Sequence, residues 1–250
     1  MDCLRQELTE EKFSRQEELI FRDCDARGKA RLGTLLSLFA ATAGHDFDAR
    51  GLPYEKLFEI RQVILLSRIS LRIQRHPTVG EVVTVTTWED GVHGAHMGRN
   101  FEITGGDGAL CVSAKSDWIL VDPVDRKILR PETFTGKVLH DCPRVIDAPA
   151  CRKIRLPAEG CTDLGGRKIV YSDLDCNGHV YSGNYGDIVW DALPEELQSA
   201  ELMEFSLNYA KEATLGESLK LRGVLDGDTY RMEGLCGAGT CFTCGCRLKI

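Results

Sequence analysis

The sequence lacks any apolar run long enough to cross a bilayer. Its most apolar stretch, LGTLLSLFAATAG, has 13 residues and is broken by small and polar side chains, whereas a spanning helix needs about 20 apolar residues. The opening residues, MDCLRQELTEEK, have no apolar core of a secretory signal and are too acidic for a transit peptide. Basic charge is also short. Against 38 Asp and Glu there are 31 Lys and Arg, a formal net charge of -7, which argues against nucleic acid as the main partner, because phosphate binding needs a concentrated basic face. There is no P-loop and no dinucleotide fingerprint. These absences predict a soluble, cytoplasmic protein with no nucleic-acid partner and no membrane insertion. The 250 residues, 43% hydrophobic and 28% charged, suffice for a real core in one large domain or two small ones.

Cysteine is abundant instead: 11 residues scattered along the chain, which without an export signal read as free thiols. In the tail CGAGTCFTCGC, Cys236, Cys241 and Cys244 have a C-x4-C-x2-C spacing. A cluster of that type takes its fourth ligand from a distant segment, but Cys246 follows at once. The expectation is a hairpin turning at Gly237-Ala238-Gly239, with the cysteines as small apolar strand residues. His93 and His96 in HGAH have no acidic or cysteine companion and read as loop histidines, and Asp107-Gly108 reads as turn chemistry. No metal site and no cofactor are expected.

The chain repeats itself. ISLRIQRHPTVGEVVTVTTWED (69–90) aligns without a gap on FSLNYAKEATLGESLKLRGVLD (205–226), an offset of 136, with six identities in 22 positions. FRDCDARGKA (21–30) aligns on YSDLDCNGHV (171–180), sharing Asp23/Asp173, Asp25/Asp175 and Gly28/Gly178. A third pair, FEITGGDGAL and MEGLCGAGTC, follows in the same order, so a duplication is the economical explanation. In the first copy Leu32, Leu35, Leu36, Phe39 and Ala43 form one helical stripe. Arg68 to Ile73 alternates as a half-buried strand, and GEVVTVTTW is β-branched. In the second copy Tyr185, Ile188 and Val189 give a helical face that Pro194 limits. Between them lies a proline-punctuated connector carrying Pro131, Pro143, Pro149 and Pro157. Each half is therefore expected to be a helix and a curved antiparallel sheet, with units 1–130 and 165–250 joined by a linker at 131–164 and their sheets able to meet edge to edge.

The duplication supplies an internal control. Asp and Gly occur in both acidic motifs, but Asn177 and His179 occur only in the second, where the first copy has Arg27 and Lys29. If one copy is catalytic, it is the second. Asp175, Asn177 and His179 gather a carboxylate, an amide and a titratable base just before a helix. Nearby backbone N–H groups can there stabilise an oxyanion, which suits acyl transfer or hydrolysis. Cys176 occupies the place of Ala26 and lies too close in sequence to His179 to read as its nucleophile.

These residues resemble the acyl-acyl-carrier-protein thioesterase family. In the first half LLSRISLRIQRHPTVGEVVTVTTWEDG and SAKSDWILVDPVDRKILRP look like the family's long strands, its Ser-x-Trp strand and its Asp-x-x-x-Arg turn. In the second, YSDLDCNGHV matches the S-D-x-D-x-N-x-H-V signature. The resemblance implies an α+β tandem hotdog fold and hydrolysis of fatty acyl thioesters on the phosphopantetheine arm of acyl carrier protein. It implies catalytic Asp175, Asn177, His179 and, in NYAKEATLG, Glu212, which the internal alignment places opposite His76. A water activated by Glu212 and His179 would attack, with Asn177 and the N–H groups of Gly178 or His179 around the oxyanion, and Asp175 would orient the site or attack itself. The first hotdog would supply the acyl pocket, with Leu35, Leu36, Phe39, Ile69 and Leu71 as candidates. Arg61, Arg68, Arg72, Arg75 and Lys211 are candidates for docking the acidic carrier, and the chain would act as a monomer or homodimer. The sequence departs from the family at Ala213, where a cysteine is common, and at Tyr181 and Ser182, where asparagines are usual; Ala213 excludes a thiol mechanism at that position. An acyl-CoA thioesterase of the same fold, a hotdog hydratase or dehydratase and a non-catalytic acyl-binding module are the competing readings.

Overall fold

The structure, a computed structural model, describes residues 3–136, 144–237 and 239–249. Its first half runs β1 (Cys3–Leu8), β2 (Phe13–Glu18), α1 (Leu32–Ala49), α2 (Tyr54–Glu59), β3 (Val63–Ile73), β4 (Val82–His93), β5 (His96–Thr104), β6 (Leu110–Asp122) and β7 (Lys127–Leu129). The second runs β8 (Thr162–Lys168), α3 (Asn184–Asp191), α4 (Glu195–Gln198), β9 (Glu201–Tyr209), β10 (Ser218–Asp226), β11 (Thr229–Cys236) and β12 (Gly239–Lys249). The strands form one antiparallel sheet in the order β1-β2-β4-β5-β6-β3-β9-β12-β11-β10-β8, with β7 beside β6. This is a double hotdog: two helix-plus-sheet units whose sheets are continuous through β3 and β9.

The apolar stripe of α1 decides its place. Leu32, Leu35, Leu36, Phe39 and Ala43 are all buried, and Phe39 meets Phe101 of β5 with ring centroids 4.9 Å apart. In the second unit Tyr185, Ile188 and Val189 of α3 face the same core, and Tyr185 packs edge-on against Tyr209 and Phe242. The two helices touch where side chains are smallest. A Cβ on Gly186 would lie 2.7 Å from the backbone nitrogen of Gly33, and one on Gly183 would lie 2.1 Å from Ser37 Oγ.

At the junction β3 pairs with β9 in the register Ile69↔Leu207, Ser70↔Ser206 and Leu71↔Phe205. Ile69, Ser70 and Leu71 are consecutive and all buried, which departs from the half-buried alternation expected of this strand. The connector supplies the cover. Its Ile154 N–H donates to Asn208 Oδ1 (2.7 Å), Asn208 Nδ2 donates to the Arg152 carbonyl (3.0 Å), and Ser113 Oγ donates to the Asp147 carbonyl. The segment 144–161 contains no strand and lies on the outer face of the sheet.

The tail is the expected hairpin: β11 and β12 are antiparallel, with Cys236 opposite Gly239, while Ala238 of the turn lies outside the described residues, as does Pro143 of the connector. Cys241, Cys244 and Cys246 are buried strand residues. His93 and His96 face each other across a two-residue turn between β4 and β5. The β1–β2 hairpin and β7 have no counterpart in the sequence-based outline. Among the described residues no helix is long and apolar enough to cross a membrane.

Candidate active site

The acidic motif folds into a closed loop rather than a helix cap. A bridge between Leu174 and Val180 clasps its two ends, the Asp175 N–H donates to the His179 carbonyl (2.8 Å), and the Gly178 N–H donates to the Asp175 carbonyl (3.1 Å). Gly178 takes φ +78°, a left-handed conformation that glycine enters without steric cost. Asp175 Oδ1 accepts the N–H of Asn177 (2.8 Å) and of His179 (3.3 Å). The first copy is built alike: Asp25 Oδ1 accepts the N–H of Arg27 (2.9 Å) and Lys29 (3.0 Å), and Gly28 has φ +73°. The shared Asp and Gly therefore make the loop. Asp23 and Asp173, shared as well, tie the preceding turn, accepting the N–H of Ile20 (3.0 Å) and Val170 (2.8 Å).

This geometry corrects two expectations. α3 begins at Asn184, five residues beyond His179, so the loop is not a helix entrance and the helix dipole does not act there. The Gly178 and His179 N–H groups, the expected oxyanion donors, are both spent inside the loop on Asp175. A side chain of the loop offers another donor. Asn177 accepts a hydrogen bond from Tyr54 Oη at its Oδ1 (3.3 Å), which commits the oxygen and keeps Nδ2 as an N–H donor.

His179 and Glu212 come together although 33 positions separate them. The Val180 N–H donates to the Ala213 carbonyl (2.9 Å), and His179 bridges to Thr214, so the loop is zipped along the segment that carries Glu212. The result is His179 Nε2 at 3.3 Å from Glu212 Oε2, both half exposed. Ala213, in the family's cysteine position, is fully buried. Cys176 is exposed beside the site.

Two residues of the first unit complete this group, and the sequence reading missed both as site residues. Arg126 pairs with Glu212 Oε2 from the β6–β7 turn, where it takes φ +53°, uncommon for a side-chain-bearing residue. Its only sequence signal is its place in the Asp-x-x-x-Arg turn. Tyr54, which opens α2, has no signal beyond following Gly-Leu-Pro. The site is thus built between the two halves.

The remaining candidates are placed differently. Leu35, Leu36, Phe39, Ile69 and Leu71 are all packed core, at most 2% exposed; Leu35 also borders a cavity of about 220 Å³. Four docking candidates are engaged by acids of the chain itself: Arg61 with Asp122 (2.8 Å) and Asp125 (3.1 Å), Arg68 with Asp117 (3.6 Å), Arg72 with Glu204 and Asp147, and Arg75 with Glu81 (2.6 Å). The Arg75 guanidinium holds the Glu81 carboxyl below its ordinary range. Lys211 is exposed, next to Glu212.

Comparison with known proteins agrees with this architecture. The family model for the acyl-ACP thioesterase N-terminal domain matches residues 10–133, and that for the C-terminal domain matches residues 166–233. A chloroplastic palmitoyl-acyl carrier protein thioesterase of Cuphea hookeriana is 24% identical over 223 residues, which are 79% of this chain and 52% of that protein. A chloroplastic acyl-[acyl-carrier-protein] hydrolase of Cuphea viscosissima is 28% identical over 182 residues, covering 68% and 43%. The chain thus spans about half the length of these plant relatives. Among solved structures, an acyl-ACP thioesterase of Bacteroides thetaiotaomicron superimposes with a TM-score of 0.86 at 22% identity, covering 97% of this chain and 100% of that one. A 12:0-ACP thioesterase of Umbellularia californica gives 0.79 at 18% identity, covering 95% and 97%. The structural likenesses establish the fold, and with both domain models matched in order, the chain belongs to the acyl-ACP thioesterase family.

Proposed function

We propose that the protein hydrolyses the thioester of a fatty acyl group carried on the phosphopantetheine arm of acyl carrier protein, releasing the free acid and the carrier thiol. The observation that carries this reading is the His179–Glu212 pair at 3.3 Å, held beside a loop that carries the Asn177 amide.

Glu212 Oε2 is engaged by His179 and Arg126, which leaves Oε1 to take a proton from water. That water's oxygen adds to the thioester carbonyl, and the developing oxyanion accepts a hydrogen bond from Asn177 Nδ2. Collapse expels the pantetheine thiolate, and the proton held by Glu212 returns to the sulfur. A thiolate leaves readily, so no strong acid is required. In this reading Asp175 is a positioning residue, because its Oδ1 is committed to the loop amides. Cys176 takes no part.

The unit at 165–250 performs the chemistry, and the unit at 1–130, joined by the linker at 131–164, shapes the acyl pocket around α1 and lends Tyr54 and Arg126. For the acidic carrier, the cations beside the site are Arg126 and Lys211; Arg61, between α2 and β3, pairs with Asp122 and Asp125 of the β6–β7 turn. Arg61, Arg68, Arg72 and Arg75 have their charge matched within the chain and are weaker docking candidates.

The deciding experiment incubates the protein with panels of acyl-carrier protein and acyl-CoA of varied chain length, following free thiol and free acid. Thiol release from carrier-bound chains supports the proposal. Release from CoA alone would make the handle CoA, hydration without thiol release would make the enzyme a hydratase, and binding without turnover would reduce it to an acyl-binding module.

A further inference from the structure

Among the described residues only two that carry a Cβ have a left-handed backbone, Arg61 (φ +58°) and Arg126 (φ +53°). Both stand where glycine would cost nothing. Arg61 follows α2. Its N–H donates to the Phe58 carbonyl (2.9 Å) and that of Gln62 to the Leu57 carbonyl (2.9 Å), a helix ending at which glycine is usual. Arg126 closes the turn 123–126 between β6 and β7. The two arginines are joined. Arg61 grips Asp122 with a fork, Nε to Oδ1 (3.2 Å) and Nη2 to Oδ2 (2.8 Å), and the same Nη2 reaches Asp125 Oδ2 (3.1 Å). Asp122 Oδ1 in turn accepts the N–H of Val124 (2.9 Å) and of Asp125 (3.1 Å). The turn that presents Arg126 is thus folded around the carboxylate that Arg61 holds, and Arg126 pairs with Glu212 Oε2.

Stability does not account for this arrangement. Both guanidinium groups are exposed, Arg126 at 73%, and an exposed ion pair returns no more than a left-handed backbone costs. Strain of this kind persists where the surroundings hold it, and it gathers at functional sites. The other end of α2 points to the same site: Tyr54, its first residue, donates to Asn177 Oδ1 (3.3 Å). α2 is fixed by a small core of its own, Leu57 with Phe47, Leu52 and Val63. Gln62, next to Arg61, ties the chain beyond β7 through the Thr133 carbonyl (2.8 Å) and the Thr135 N–H (2.9 Å). The second half is the control. α4 stands before β9 as α2 stands before β3, yet no left-handed residue follows it. The segment after α4 meets the first acidic loop by the carbonyls of Ser199 (3.1 Å) and Ala200 (3.5 Å), which accept from Arg27.

We propose that α2 and the β6–β7 turn form one clamp, by which the first unit fixes two side chains of the site in the second: Asn177 through Tyr54, and Glu212 through Arg61, the turn and Arg126. Arg61 is then a positioning residue rather than a docking cation, and it acts on Glu212 only through Arg126. The clamp holds Oε2, so that Oε1 keeps one direction toward the attacking water. The reaction that the clamp serves rests on the thioesterase reading; the clamp itself rests on the chain of ion pairs and the two left-handed arginines.

The test measures kcat and KM of the full chain on acyl-pantetheine, which has no carrier surface to dock, for Arg61→Gly, Arg126→Gly and the double variant. Glycine takes the left-handed backbone freely, so these variants should melt close to the wild type. Each single variant should lose about tenfold or more in kcat with KM within about twofold. The double variant should be no worse than Arg126→Gly, because the two residues act in series. A folded Arg61→Gly with wild-type kcat, losses that multiply in the double variant, or a loss confined to carrier-bound substrate would overturn the proposal. If Arg61→Gly does not fold, Arg61→Lys decides: it keeps the charge but not the fork, so kcat should fall, and an unchanged kcat overturns the proposal. The ¹⁵Nε–H resonance of Arg126, identified by its loss in Arg126→Gly, needs no turnover. It should move in Glu212→Gln and in Arg61→Gly, and indifference to Arg61→Gly overturns the clamp. Hydrolysis by the wild type with an indifferent resonance rejects only the clamp. A responsive resonance in a protein that hydrolyses no thioester rejects only the thioesterase reading.

Discussion

Ser70 of β3 and Ser206 of β9 stand directly opposite each other in the strand pair that joins the two halves. They are also equivalent positions of the internal repeat, 136 residues apart. A local twofold axis therefore passes between them, and it relates Ile69 to Phe205 and Leu71 to Leu207 across the junction. Pairing the two units this way leaves neither of these strands with an open edge. It also sets α1 against α3 at their glycines and brings each acidic loop to the other half.

The first prediction concerns the groups proposed to react. Glu212→Gln and His179→Ala should each lower kcat by about 100-fold or more, the usual worth of a positioned acid–base group, with little change in thermal midpoint because both side chains are half exposed. Steady-state kinetics alongside a melting curve checks this; full activity in either variant removes that residue from the mechanism.

Asp175 separates positioning from attack. Asn at 175 keeps an oxygen for the N–H groups of Asn177 and His179, whereas Ala does not. Asp175→Asn should therefore retain far more activity than Asp175→Ala, and the alanine variant should also lose about 0.5–2 kcal/mol of stability, as when a capping acceptor is removed. If Asn and Ala are equally dead while both fold, Asp175 is the nucleophile.

The thiol beside the site should be dispensable. Cys176 is exposed and has no counterpart in the first copy, where Ala26 stands. Cys176→Ala should keep kcat within about twofold, since a surface change of this kind is near neutral; a loss of orders of magnitude would restore a thiol mechanism.

The helix crossing tolerates no added methyl. A Cβ at Gly186 would sit 2.7 Å from a backbone nitrogen, which no rotamer change relieves. Gly186→Ala should cost about 1–3 kcal/mol in urea unfolding, despite the higher helix propensity of alanine.

Stability should fall at high pH. Burial, with Asp117 nearby, pushes the Cys151 thiol from 9.0 up to about 12, and burial, with Cys236 nearby, does the same for Cys241. Below pH 9 both states keep these protons. Between 9 and 12 the unfolded chain loses protons that the folded chain retains, so the free energy of unfolding falls as pH rises. Unfolding midpoints at pH 8 and pH 10.5 check the sign, and the Cys151→Ala/Cys241→Ala pair should flatten the difference.

The sequence by itself determined the repeat, the stripe of α1, the strands around Ile69 and Val83, and the residue types special to the second copy. Those signals are local: periodicity and turn chemistry act over a few residues, and a duplicated sequence carries its own alignment. It did not reveal that Arg126 and Tyr54 enter the site, that the loop consumes its own amides, or that three residues of β3 are buried in a row. These depend on contacts between distant segments. Arg126 meets Glu212 across 86 positions, and the cover on β3 comes from the connector. Nor could composition show that Arg61, Arg68, Arg72 and Arg75 are matched by nearby acids, because charge counted along a chain does not say which charges meet. The residue inventory of the chemistry was local information. Its geometry was decided by the way two copies of one unit fold against each other.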